Sequence, residues 1–158
     1  MHVTLEGLIQ MKAILSRGLM GVNPFTGERN KPAKELPASM FRHLRRLLKA
    51  VDDELAIAEP ERKAFAEKWA VDGKWPTPDS ENYAEFAPLY NEMFNTPDFV
   101  LPFSPFKLEL LDRLDEAIPT DLMGLMESAN DIYEAEQKQN APATGDSDNG
   151  PESPEPNA

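Results

Sequence analysis

Between Phe41 and Trp69 the large apolar residues step along the chain by threes and fours: Phe41, Leu44, Leu48, Val51, Leu55, Ala58, Phe65 and Trp69, with Arg62 the single polar member of the series. Side chains at these spacings share one face of an α-helix, so the seven-residue repeat predicts a long helix with a continuous apolar edge. Pro60 falls inside it. A proline in a helix interior removes a backbone donor and crowds the carbonyl four residues back, at a cost of about 3 kcal/mol or more. The repeat nevertheless keeps its phase on both sides, so the expectation is one kinked helix or two collinear ones, without a chain reversal.

Ser80 followed by Glu81 marks a second helix start, and Tyr83, Phe86, Tyr90 and Met93 repeat the same spacing as far as Asn95. The segment from Asp72 to Ser80, rich in Gly, Pro and Asp, is turn chemistry. Two helices joined this closely pack antiparallel, which predicts a helical hairpin over 39–95 with Tyr83 near Trp69 and Tyr90 near Arg62. Residues 39–58 outrun what the second helix can cover. A first helix, a last helix or a second copy of the chain must shield them, and internal cover is favoured.

The flanking elements are shorter. Leu5, Leu8, Ile9, Lys12 and Leu15 recur at helical spacing behind Thr4, a suitable N-cap, and Gly18 is expected to end that helix. Residues 18–36 cluster Gly, Pro, Asn and Thr and are expected to form an exposed loop. Pro97, Pro102 and Pro105 leave room for only a brief edge strand between them. Residues 107–114 predict a short helix, and Pro119 opens a last one that brings Leu122, Leu125 and Met126 to the core. From Glu134 to Ala158 there is no large apolar residue, and six acids face one lysine. That composition is expected to stay disordered, because it cannot bury enough surface to offset its ordering entropy. The fold class that follows is mainly α: a long helical hairpin with short flanking helices, a short edge β segment, one helical domain over 1–133 and a disordered acidic tail over 134–158.

The net charge of −12 is unevenly spread. Residues 1–49 hold nine lysines and arginines against three acids and carry +6, so the remainder carries −18. The plainest consequence is that the two parts fold against each other and partly neutralise. There is no cysteine, which excludes disulfides, thiolate metal sites and a thiol nucleophile. No run approaches the roughly 20 apolar residues of a membrane span, and Met1 to Glu6 do not resemble a secretory leader. An intracellular, cytosolic place is expected rather than a membrane.

The catalytic inventory is thin. His2 and His43 are the two histidines, too few for a persuasive ligand pair or triad, and the glycines form no phosphate-cradling loop. Asp52, Asp53 and Glu54, and later Asp112, Asp115 and Glu116, lack the alternation and central glycine of a calcium loop and are expected to be solvated helix faces. The expectation is a protein that is not an enzyme and carries no cofactor or metal.

Contact residues are easier to nominate. Arg42, Arg45, Arg46 and Lys49 lie on one side of the long helix beside its apolar edge. They would suit phosphate, but a nucleic-acid partner is disfavoured by the acidity of the whole chain, and salt bridges to the acidic half are preferred. Trp75 and Tyr90 belong to an aromatic group at the hairpin tip with Trp69, Tyr83 and Phe86. Aromatic anchors of this kind serve protein interfaces, and Trp75, placed in the turn, is the best exposed candidate.

The order of several short motifs adds a resemblance. Leu36, Pro37 and Ala38 precede the long helix; Asn91, Glu92, Met93, Phe94, Asn95 and Thr96 close the hairpin; an extended piece ends at Pro105, Phe106, Lys107 and Leu108; and Pro119, Thr120, Asp121, Leu122 and Met123 follow. Over residues 36–126 this order resembles a family of small uncharacterised tailed-phage proteins, from which the loop over 18–35 and Ile118 depart. The resemblance implies a phage or prophage origin, no catalytic residues, and a supporting role in virion assembly or infection. Together these readings predict a phage-encoded accessory or assembly protein that contacts a phage or host protein, or a second copy of itself. The alternative is an acidic inhibitor that blocks a host nucleic-acid-binding or defence protein by imitating phosphate charge.

Overall fold

Thr4 sits in extended conformation and its hydroxyl accepts a hydrogen bond from the Gly7 amide at 2.9 Å, which starts α1, Leu5–Met20. The helix turns Leu5, Leu8, Met11 and Leu15 inward. It does not stop at Gly18, as its sequence suggests. Gly18 is buried in the last turns of the helix, where a Cβ would lie 2.8 Å from Leu122 Cδ2. The terminator is Gly21, whose left-handed backbone (φ 70°) lets its amide reach the Arg17 carbonyl. The glycine inside the helix serves packing; the one beyond it serves the cap.

The structure is a computed structural model that describes residues 1–29, 36–114 and 118–141. Within the described part of the expected 18–36 loop, Val22 pairs with Arg29 as an isolated bridge, and the Asn23 side chain accepts from the Phe25 and Thr26 amides. The rest of that loop lies outside the described residues.

The long helix α2 runs unbroken from Ala38 to Trp69 with Pro60 inside it. Pro60 is exposed, so its ring projects to solvent. The expected edge is buried at Leu44, Leu48, Val51, Ala58 and Trp69 and half-buried at Phe41, Leu55 and Phe65, and Met40 and Leu47 widen it. The missing cover is α1, which lies antiparallel along α2 as far as Ala58: Lys12 bridges to Asp52 at 3.0 Å, and Leu5 packs in the same cluster as Ala58.

After Trp69 the chain reverses at Val71 and Lys74, whose amides and carbonyls bond each other at 3.0 Å both ways. Asp72 (φ 51°) and Gly73 (φ 73°) occupy the two left-handed positions, the type I′ arrangement that an Asp-Gly pair favours. Ser80 does not start the next helix. Its hydroxyl accepts from the Thr77 amide and its own amide bonds the Thr77 carbonyl, a separate turn, so α3 begins later and spans Tyr83–Asn95.

Phe99–Val100 (β2) is the short strand allowed by the prolines. Its partner is β1, His2–Val3, antiparallel with His2 opposite Val100 and Val3 opposite Phe99. Leu108–Arg113 is a 3-10 segment. The last helix, α4, runs Thr120–Asn140, so residues 134–140 are helical and the tail expected from 134 begins too early. Composition alone misjudged this stretch because polar contacts tether it. The Glu136 carboxylate accepts from the His2 amide and pairs with the Met1 ammonium at 3.4 Å. Residues 142–158 lie outside the described residues.

The fold is mainly α, with four helices, one 3-10 segment and one two-stranded sheet among the described residues. The main core gathers Leu8 and Leu15 of α1, Leu44, Leu47 and Val51 of α2, Leu122 and Met126 of α4, and Leu101 and Phe106 from the segment after β2. Asn130 fastens that segment, accepting from the Phe106 amide at 2.8 Å and donating to its carbonyl at 3.0 Å. No described helix is long and apolar enough to cross a membrane.

Candidate functional site

Beyond Ala58, α2 continues for eleven residues, or about 16 Å at 1.5 Å per residue, past its contact with Leu5 at the start of α1. α3 and the intervening turn accompany it there, and a second cluster of aromatic residues forms. Phe65 is its centre, with ring centroids of Trp69, Trp75, Phe86, Tyr90 and Phe94 all between 5.8 and 6.5 Å away. The antiparallel hairpin is as expected, but its register is offset. Phe86 rather than Tyr83 meets Trp69, at 5.7 Å, and Tyr90 faces Phe65 while Arg62 forks onto Glu59 at 2.9 Å.

Trp75 returns from the Asp72-Gly73 turn and lies over this seam. Its ring stacks on Phe86 (5.8 Å, 23°) and meets Tyr90 and Phe94 edge-on at 5.8 and 6.0 Å. Each such pair adds about 0.5–1.5 kcal/mol beyond its buried area. Trp75 still leaves 37% of its surface exposed, beside Val71 at 72%. Tyr90 is half-buried and stacked on Phe94 at 4.4 Å; burial, and then the charge of Glu6, push its hydroxyl above the ordinary phenol value. Phe65, part of the apolar repeat, and Phe94 complete the cluster, although the sequence nominates neither as a contact residue. Phe94 was legible as the residue four beyond Tyr90, on the same helix face.

On the side of the seam that Trp75 does not cover, a groove of about 440 Å³ runs between α2 and α3. Its floor is apolar, with Ala58, Phe65, Trp69 and Met93, and its polar lining is acidic on balance: Glu61, Glu92 and Asp98 against Lys68. Leu89, 37% exposed, stands at its edge.

The four basic candidates lie elsewhere. Arg46 and Phe65 are nineteen residues apart on one helix, about 29 Å along its axis, so the structure separates the nominated residues into two regions. Lys49 pairs with Asp53 one turn on, and the Arg45 guanidinium lies 5.7 Å from the centre of the Phe41 ring. Among the described residues, Arg42, Arg45 and Arg46 have no carboxylate within ion-pair distance. The preferred salt bridges to the acidic half are therefore seen in this cluster at Lys49 and outside it at Lys12 and Arg17, which reach Asp52 and Asp121, while the three arginines make none among the described residues. Arg42 and Arg46 instead line a concavity with Ser39, His43 and Ser104. His43 rests against Phe106 at 4.4 Å, and burial, helped by the Arg46 charge, holds its imidazole below the ordinary value.

Comparison with protein-family models, with curated proteins and with solved structures finds no match for this chain.

Proposed function

We propose that this protein acts without catalysis, by gripping a partner protein with the outer half of its helical hairpin. The observation that carries the reading is the groove between α2 and α3, an apolar floor framed by more acid than base, next to a half-exposed tryptophan outside the main core. Its chemistry suits a helical or extended segment that inserts Leu, Phe or Met side chains and flanks them with Lys or Arg. Trp75 and Leu89 are the anchors on this chain. A place among phage-encoded accessory or assembly factors, in the host cytoplasm or on the virion, fits this reading through the motif order over residues 36–126.

The test uses the full chain and a 15-residue amphipathic peptide with apolar residues at helical spacing and lysines beside them, followed by tryptophan emission. Binding weakened about tenfold by Leu89→Glu, but only a few-fold between 50 and 500 mM salt, supports the groove. Indifference to Leu89→Glu refutes it. If binding also collapses with salt, a charge-driven mode of the kind a phosphate-imitating inhibitor uses takes its place.

A further inference from the structure

We infer that the concavity at the start of α2 is a binding site for a phosphomonoester, with Arg42 and Arg46 holding the phosphate and a neighbouring apolar hollow taking the organic group. The two arginines are one helical turn apart, so their guanidinium groups serve one compact anion together. Ser39 and Ser104 add hydroxyl donors from opposite walls of the same concavity, which measures about 460 Å³. A phosphate presents more acceptor oxygens than a carboxylate and, as a dianion, balances both arginines.

Three features favour this over a merely solvated basic face. Arg42, Arg45 and Arg46 crowd three like charges into five residues, which costs a helix a few tenths of a kcal/mol per pair unless an anion offsets it. Among the described residues no carboxylate does so. Finally, the concavity adjoins a second hollow of about 320 Å³ that shares Ser39, His43 and Ser104 and continues over Met40, Phe106 and Leu110. His43 stands where the two meet, its ring against Phe106. A polar lobe joined to an apolar one is what a phosphate ester of a planar or aliphatic group requires.

Inorganic phosphate and phenyl phosphate are titrated into the full chain at low ionic strength while the His43 ring signals are followed by NMR, with sodium chloride at matched ionic strength as the blank. Saturable shifts are expected for both, with phenyl phosphate binding about tenfold more tightly because of the apolar lobe. Arg42→Gln and Arg46→Gln should each weaken both ligands about fivefold to tenfold, and Arg45→Gln, directed toward Phe41, less than twofold. These side chains are exposed, so the variants keep the fold, which thermal melting checks. Shifts that the chloride blank reproduces, or that Arg42→Gln and Arg46→Gln leave unchanged, overturn the site. Equal binding of the two ligands overturns the apolar lobe. The loss of this site leaves the α2–α3 groove unaffected, since the two are tested with different ligands and variants.

Discussion

Replacing Gly18 by alanine sets two effects of known size against each other. In an ordinary helix interior the change stabilises by about 0.5–1 kcal/mol, because alanine has less backbone freedom to lose on folding. Here the new methyl would stand 2.8, 3.3 and 3.4 Å from three carbons of Leu122, a side chain with no exposed surface and therefore little room to move. Overpacking of this kind costs about 1–3 kcal/mol, so packing wins and Gly18→Ala should destabilise by about 1 kcal/mol or more. For a chain of 158 residues each kcal/mol lost is a fall in Tm of about 2–4 °C. Gly124 in α4 is the control: nothing lies within 4 Å of its Cβ position, so Gly124→Ala should raise stability by about 0.5–1 kcal/mol. Urea denaturation followed by circular dichroism measures both. In a Leu122→Ala background, where the opposing methyls are gone, the sign of the Gly18→Ala effect should reverse. A Gly18→Ala protein more stable than its parent would show that α1 and α4 are not in the contact described.

Four further outcomes follow from particular contacts. Pro60→Ala should stabilise the chain by about 1–3 kcal/mol by restoring the amide donor to the Ala56 carbonyl, read from the urea midpoint; no change would mean that the helix is already broken there. Trp75→Ala should cost about 1–2 kcal/mol, less than a fully buried tryptophan, and should lose peptide binding in the emission assay; unaltered binding would assign the partner contact to the groove alone. The Glu136 carboxyl is held low mainly by the His2 amide, so its contribution is present above the ordinary carboxylate value and disappears as pH falls through its folded value. Glu136→Gln should therefore destabilise by about 1 kcal/mol at pH 7, a difference that shrinks as the pH falls below the ordinary carboxylate range. His43 is held below its ordinary 6.5, chiefly by burial, so the unfolded chain takes up a proton first and stability falls on acidification below about pH 6.5; His43→Gln should flatten that part of the profile.

Periodicity carried most of what was legible in the sequence. The repeat from Phe41 to Trp69 determined a helical stretch without a reversal at Pro60, because each interior position needs an apolar contact whatever supplies it, and the tertiary structure decided for one unbroken helix over two collinear ones. Thr4 marked the start of α1 and the prolines around Phe99 limited β2, since caps and missing donors are local chemistry. The candidates Trp75 and Tyr90 came together in one aromatic seam, whereas Arg42 and Arg46 proved to be about 29 Å or more from Phe65, a separation written in their residue numbers once the helix is unbroken.

What the tertiary structure alone decided depends on partners far away in the chain. Gly18 looks like a terminator until Leu122 is placed against it, and the polar residues 134–140 look unable to order until Glu136 meets the His2 amide and the Met1 ammonium. Likewise, β2 had no visible partner until the chain brought Val3 beside Phe99, and the hollow over Phe106 exists because Asn130 fastens that segment at both its amide and its carbonyl. A local pattern states which faces must be covered and which bonds must be made. The contacts that cover and make them join residues between 24 and 134 positions apart, and no local spacing encodes that.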